Sequence, residues 1–189
     1  HYQTQVKDLA SLLDNPYLQV MTLEQQGQVL ACALISAEGK FDKALAKQIY
    51  YGDRRVQGHL LAQNLAFHLA RPDLAEMVLW RVMRIAVHPV LQRQQLGSRL
   101  LQLIAKKAFR NQVYYLGTSF GANKDLLQFW QQNGYTAVRL GHSTDKASAE
   151  HSVVMLHACR ADEQQLLTMQ QQFAQALYLS LQHYPHLDT

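Results

Sequence analysis

The stretch "HPVLQRQQLGSRLL", His88 to Leu101, holds residue types that can do chemistry at a useful spacing. It follows an apolar, β-branched run, turns at Pro89, and enters a helix-like apolar pattern through Gly97. A strand, a loop of free backbone amides and a helix N-terminus, in that order, bind phosphate. The first N–H groups of a helix lack intrahelical partners, and its dipole is positive at that end. Gln92, Arg93, Gln94, Gln95, Leu96, Gly97 and Ser98 form the candidate cradle, with Arg93 and Arg99 adding formal charge. Gln95 stands where a loop of this kind usually has glycine. A positive φ there costs about 1–2 kcal/mol relative to glycine, and a negative φ costs nothing. Gly97 is expected to let the helix backbone approach phosphate closely, which makes it the least replaceable position of the loop. Taken alone, the segment fits a plain strand–turn–helix with solvated arginines equally well.

Elements able to hold such a loop are legible on both sides of it. "YLQVMTLEQQGQVLACALIS" reads as two strands joined by a turn at Gln26-Gly27, with Val29, Ala31, Ala33 and Ile35 on one face of the second. Asp8–Asp14 reads as a short amphipathic helix stopped at Asn15-Pro16, and Phe41–Tyr51 as a second helix. "GHLLAQNLAFHLA" has helical spacing and is expected to end before Pro72. "VMRIAVHP" is a central strand, with Val82, Ile85 and Val87 apolar and β-branched, closed by Pro89. Gly97–Phe109 is a strongly amphipathic helix, "VYYLGTS" the next strand, and Asn123–Asn133 a helix with Gly134 at its C-terminal cap. "TAVRL" and "HSVVMLHACR" are two further strands, expected to be antiparallel, around the polar loop His142–Glu150. Ala161–His183 is a Gln-rich final helix that packs on the domain or leads away from it.

The 189 residues suffice for one sizeable core, and 48% apolar with 17% charged residues describes a globular chain rather than a disordered one. No apolar run reaches the roughly 18 residues of a membrane span. Cys32 and Cys159 lie in apolar alternating segments, as core thiols of a reducing cytoplasm do, and no CxxC spacing suggests a metal. A net charge of +4 permits a polyanionic ligand without requiring one. The chain opens on His1 with no signal-peptide pattern and is expected to be a piece of something longer.

"NKDLLQFWQQNGY", Asn123 to Tyr135, follows the cradle after one helix and one strand. Together the two segments resemble the GNAT acetyltransferase superfamily. Its members carry Q/R-x-x-G-x-G/A at a pyrophosphate loop and, later, N-x-x-A-x-x-F-Y-x-x-x-G-F. The second pattern fits here at every spacing, with Leu126 for Ala, Trp130 for Tyr and Tyr135 for Phe. "RVMRIAVHP", "QRQQLGSRLL", "GTSFGANKDLLQFWQQNGY", "VRLG" and the opening "HYQT" are similar to the acetyltransferase module of the bacterial tRNA(Met) cytidine acetyltransferase family, over residues 1 to about 160.

That resemblance implies an α/β GNAT acyl-CoA N-acyltransferase fold: a mixed, mostly antiparallel sheet flanked by helices. Residues 1–160 would form the acetyltransferase domain, and 161–189 a C-terminal helical extension leading toward a tRNA-binding tail. It implies acetyl-CoA as cofactor and tRNA(Met) as partner. ATP would be hydrolysed in a helicase-like module outside this chain, which has no GxxxxGK(S/T) loop of its own. Ile85, Ala86 and Val87 would pair with the pantetheine arm like an added strand. Asn123, Asp125 and Gln132 would flank the thioester. Asp125 keeps the acidic residue of close relatives, and Gln132 departs from their basic one.

Acetyl transfer to an amine needs alignment, oxyanion stabilisation and proton uptake. Trp130 stands where many superfamily members place a tyrosine acid, and an indole N–H is no acid near neutral pH. For a base the sequence offers His59, His68, His88, His142 and His151, of which His88 is nearest the cradle and is the candidate catalytic residue. For RNA, Arg54, Arg55, Arg71, Arg81 and Arg84, with Tyr50 and Tyr51, offer phosphate contacts and stacking. Two other readings fit these residues: a GNAT enzyme acting on a protein or small-molecule amine, and a non-catalytic coenzyme A- or RNA-binding module.

Overall fold

A hairpin opens the sheet in a computed structural model that describes residues 14–144 and 151–183. Strands β1 (Leu18–Gln25) and β2 (Gln28–Gly39) meet at Gln26 and Gly27, left-handed at φ 50° and 76°. Positive φ at both central residues matches the right-handed twist of the strands, as the sequence leads one to expect. The expected Asp8–Asp14 helix lies outside the described residues except for its last residue.

Four helical pieces follow. Helix α1 (Lys43–Tyr51) is capped by the Asp42 carboxylate, which accepts the Leu45 N–H at 2.8 Å. Helix α2 (Leu60–Gln63) runs into a π-helical turn, Asn64–His68, and a short α3 (Pro72–Glu76) comes next. The sequence marks Pro72 as a stop, yet it also starts α3. In the first turn of a helix the missing N–H has no partner to lose, and the fixed φ is already helical.

Strand β3 (Val78–Val87) begins four residues before the expected Val82. Helix α4 (Leu96–Arg110), strand β4 (Tyr115–Gly121), helix α5 (Lys124–Gln132), strands β5 (Thr136–Thr144) and β6 (His151–Ala158) and helix α6 (Glu163–His183) follow among the described residues. The six strands lie in the order β1-β2-β3-β4-β6-β5. Only β3 and β4 are parallel, and every other pair is antiparallel.

Each face of the sheet has its own core. On one, Leu100, Leu101, Ile104 and Ala108 of α4 and Trp130 of α5 cover Ala31, Ala33, Ile35, Val82 and Met155. On the other, α1, α2 and α3 pack Ile49, Leu61, Leu65 and Leu74 on Leu79, Tyr115 and Leu156. Leu166 and Met169 join this second core, so the start of α6 packs on the domain, while Tyr178 and Leu179 farther along it are exposed. Among the described residues no helix is long and apolar enough to cross a membrane.

Candidate active site

Strands β3 and β4 pair over only three residues each, Leu79 with Tyr115, Trp80 with Leu116 and Arg81 with Gly117. Past that point β3 stays with β2 to Val87 and β4 stays with β6 to Gly121, so a fork opens in the middle of the sheet. Its cause lies in the register. Leu34 faces Arg84 but Ile35 faces Val82, which leaves Met83 as an extra residue in β3. A bulge of this kind bends the strand and sharpens its twist, turning β3 away from β4. At the base of the fork the Thr118 hydroxyl donates to the Val82 carbonyl at 3.2 Å, in place of a strand rung.

Beyond the bulge, the His88 N–H donates to the Leu30 carbonyl at 2.9 Å. Antiparallel ladders alternate, so Ala86 turns its main-chain groups to β2 opposite Cys32, while Ile85 and Val87 turn theirs into the fork. The Gln92 side-chain amide lies 3.5 Å from the Val87 carbonyl, on the same side. Of the three residues expected to offer a pairing edge, Ile85 and Val87 do so and Ala86 does not.

The cradle follows at the open end of the fork. Gln95 is left-handed, φ 59° and ψ 10°, and Arg93 is left-handed too, at φ 61°. The sequence left the sign of φ open at Gln95, where glycine commonly stands, and no residue type marks Arg93. Gln92, Arg93, Gln94 and Gln95 are all exposed. The first rung of α4 runs from the Arg99 N–H to the Gln95 carbonyl at 2.9 Å, and no side chain caps the helix at Gln95. The N–H groups of Leu96, Gly97 and Ser98 therefore precede the ladder.

Gly97 is buried, and the helices leave no room for a side chain there. A Cβ there would lie 3.3 Å from two ring carbons of Phe129 and 3.6 Å from Val87 Cγ2. Its lack of a side chain serves the packing of α4 on α5 and β3, and through that the placement of the cradle.

Helix α5 also starts at the open end, since the Ala122 N–H donates to the His151 carbonyl at 2.8 Å. The Asn123 side chain accepts the Leu126 N–H at 3.0 Å and is occupied as a cap. Asp125 is exposed in the first turn. Gln132 is not brought to the same place. At 1.5 Å per residue it lies roughly 13 Å along α5 from Asn123. It lines a separate cleft of about 310 Å³ with Lys106, Tyr135 and His157. Trp130 is a core residue, stacked on Phe120 and edge-on to Phe129 and Tyr135.

The imidazoles are dispersed. His88 is exposed, five residues past the bulge, which is roughly 16 Å along a strand, and so lies beside the cradle rather than at the fork base. His59 Nδ1 accepts the Gly39 N–H at 3.1 Å and burial lowers its pKa, so the ring is neutral with its proton on Nε2. His151 Nδ1 bonds the Gly141 carbonyl at 2.8 Å and His68 stands edge-on to Phe67. His142 lies on β5, with its side chain outside the described set.

Arg71 and Arg81 are committed to carboxylates of the chain itself. Arg71 pairs with Asp73 at 2.6 Å, and Arg81 with the buried Glu38 at 2.5 Å. Arg54 and Arg55 are exposed and line a cleft against α2, and Arg84 is exposed on β3. The rings of Tyr50 and Tyr51 meet at a tilt of 59° with centroids 5.0 Å apart.

Known proteins share this arrangement. Among solved structures, the ribosomal-protein-S18-alanine N-acetyltransferase of Escherichia coli superposes with a TM-score of 0.55 at 17% identity, over 84% of this chain and 79% of its own. A GNAT family acetyltransferase from Elizabethkingia anophelis, solved with acetyl-CoA bound, has a TM-score of 0.55 at 11% identity, covering 82% of this chain and 84% of that one. These likenesses establish the fold. Among curated sequences, the tRNA(Met) cytidine acetyltransferase TmcA of Nitrosococcus halophilus is 41% identical over 167 residues, 88% of this chain and 22% of the relative. The Vibrio cholerae TmcA is 37% identical over 163 residues, 86% of this chain and 22% of the relative. The chain thus spans about a fifth of the length of these relatives. A family model described as GNAT acetyltransferase 2 matches residues 1–111 and 105–160. With that match running the length of the forked sheet, the chain belongs to the GNAT acetyltransferase 2 family.

Proposed function

We propose that this chain is the acetyl-CoA-dependent N-acetyltransferase unit of a longer cytoplasmic enzyme. That enzyme acetylates the exocyclic amine of the wobble cytidine of elongator tRNA(Met). Residues 1–160 form the transferase domain and 161–189 lead toward a tRNA-binding tail, while ATP is hydrolysed in a module outside this chain. The observation that carries the reading is the fork between β3 and β4, with the uncapped N-terminus of α4 at its open end.

The residues present fit acetyl-CoA. The free N–H groups of Leu96, Gly97 and Ser98 converge where a pyrophosphate needs donors, and Arg93 adds charge. Ile85 and Val87 offer main-chain groups to the amides of a pantetheine arm. When bound, acetyl-CoA supplies an activated acyl carbon on a thiol leaving group. The chain's own contribution is position: a fork held open by the Met83 bulge and closed at its base by Thr118. Holding two reactants in line is worth about 7–11 kcal/mol of a barrier at best.

Proton handling makes small demands on these residues. The cytidine amine is conjugated with its ring and carries no proton to remove before attack. A thiol of pKa about 8.5 leaves without an acid, so the burial of Trp130 deprives the reaction of nothing essential. His88, the candidate for proton uptake, is exposed beside the cradle.

The test is mass spectrometry of tRNA(Met) after incubation with the full-length protein, acetyl-CoA and ATP. Acetylcytidine at the wobble position is expected, and an unmodified base overturns the RNA assignment. Calorimetry of this chain with acetyl-CoA should give binding in the micromolar range. Absence of heat at millimolar ligand overturns the transferase reading itself.

A further inference from the structure

On the far side of α2 from the fork lies a cleft of about 410 Å³, bounded by α1, the loop Gly52–Gly58 and the π-helical turn. Arg54, Arg55, Leu60, Phe67 and His68 line it, with no carboxylate among the lining residues. The one acid of the loop, Asp53, does not reach it. Phe67 is 49% exposed, an unusual position for an aromatic ring. One side of the ring rests on Gly52, where an added Cβ would come within 3.2 Å of it.

The arginine loop is built rather than loose. The Gln63 side chain accepts the Val56 N–H at 2.9 Å and donates to the carbonyls of Val56 and His59 at 2.6 and 2.9 Å. Gly52 and Gly58, at φ 82° and 84°, make its two corners. The backbone carrying Arg54 and Arg55 is thereby fixed at the cleft that the half-exposed Phe67 also lines. Single-stranded RNA is bound by this combination, its bases stacking on the ring and its phosphates meeting the charges.

The cleft also adjoins the fork. Leu60 lines it, and the next residue, Leu61, fills the space at Gly117, where a Cβ would lie 2.4 Å from Leu61 Cδ2. Gly117 is the last residue of β4 that pairs with β3. Helix α2 thus touches both the cleft, through Leu60, and the fork base, through Leu61.

Building on the RNA acetyltransferase reading, we propose that this cleft receives a nucleotide flanking the acceptor cytidine. Its base stacks on Phe67 and its phosphate meets Arg54 and Arg55.

The experiment measures binding of the chain to the anticodon stem-loop RNA of tRNA(Met) by fluorescence anisotropy across a salt series. The double variant Arg54→Ala/Arg55→Ala should lose about tenfold in affinity at low salt. Its slope of log K against log salt should become shallower by about 0.7 for each phosphate no longer neutralised. Phe67→Leu should lose about tenfold with the slope unchanged. Acetyl-CoA binding, measured by calorimetry on the same samples, should be unaltered, which also reports that the variants are folded. The proposal is overturned if either variant binds RNA like the wild type, or if wild-type chain shows no RNA binding at about 100 µM. A cleft occupied by another protein segment leaves RNA binding indifferent to these substitutions and counts against it. Loss of acetyl-CoA binding by the wild type is a separate result and bears on the transferase reading.

Discussion

Glu38 of β2 caps a helix that starts more than twenty residues later in the chain: its Oε2 accepts the Leu61 N–H of α2 at 2.6 Å. The same oxygen lies 3.3 Å from the Ala62 N–H, and Oε1 accepts Arg81 Nε–H at 2.5 Å. His59, at the N-cap of α2, offers no side-chain cap of its own. One carboxylate thus joins three elements at the base of the fork. Burial pushes the pKa of Glu38 up, and the Arg81 charge and the two N–H donors work against that.

Removing this carboxylate leaves a buried guanidinium and two orphaned amides. Glu38→Ala should cost about 3–5 kcal/mol, measured by urea unfolding. Glu38→Gln keeps an acceptor for the helix amides and should cost less. Equal losses for the two variants would show that the charge, not the cap, holds α2.

Gln95 and Arg93 both sit in the left-handed region, which L side chains enter at a cost. Gln95→Gly should raise stability by about 1 kcal/mol and leave acetyl-CoA affinity within about twofold of wild type, since the donors there are backbone amides. Thermal melts and calorimetry read the two effects separately. A lost affinity would mean that the Gln95 side chain binds.

Thr118 holds the carbonyl of Val82 at the first position where β3 and β4 no longer pair. Thr118→Val keeps the shape and leaves that carbonyl bare in a site where Thr118 is 3% exposed. The expected cost is about 1–3 kcal/mol in urea unfolding, with faster amide exchange along β3 past Arg81. Wild-type exchange would place the origin of the fork in the Met83 bulge alone.

Much of the site was readable because it is local. The strand–loop–helix around Gln92–Ser98 and the helices α4 and α5 follow from residues within a few positions of one another. An open strand edge at Ile85–Val87 came only with the family resemblance, because a bulge at Met83 is a matter of register between β2 and β3, and no residue type announces it. Arg81 looked like a solvated or RNA-facing charge, yet its partner Glu38 lies 43 positions away. The packing of Gly97 against Phe129 was not legible, since Phe129 comes from the next helix, one strand farther along the chain. Pro72 marked both an end and a beginning, and the sequence pattern showed only the end.

The buried Tyr135 and the half-buried Cys159 form an alkaline liability behind α5. Tyr135 Oη has no hydrogen-bond partner among the described residues, and the side chain is 3% exposed. Burial, with the neighbouring Cys159 adding to it, holds the phenol far above its ordinary pKa, and burial pushes the Cys159 thiol up to about 11. Both groups are neutral when folded and ionise more readily once unfolded. A folded pKa raised above the unfolded value gives stability that is complete below the unfolded pKa and lost as pH rises through the folded one. For Cys159 that window runs from the ordinary thiol range near 9 up to about 11. Stability should therefore fall across that interval, and Cys159→Ala should flatten the fall. At pH about 8, folded Cys159 should alkylate about a hundredfold more slowly than in the urea-unfolded chain, read by peptide mapping. Tyr135→Phe removes a hydroxyl that burial leaves unsatisfied, a burden of about 1–3 kcal/mol. It should raise the melting temperature at neutral pH and raise it further at alkaline pH. An unchanged or lower melting temperature would mean that the hydroxyl has a partner, and that its neutrality is enforced by a bond rather than by burial.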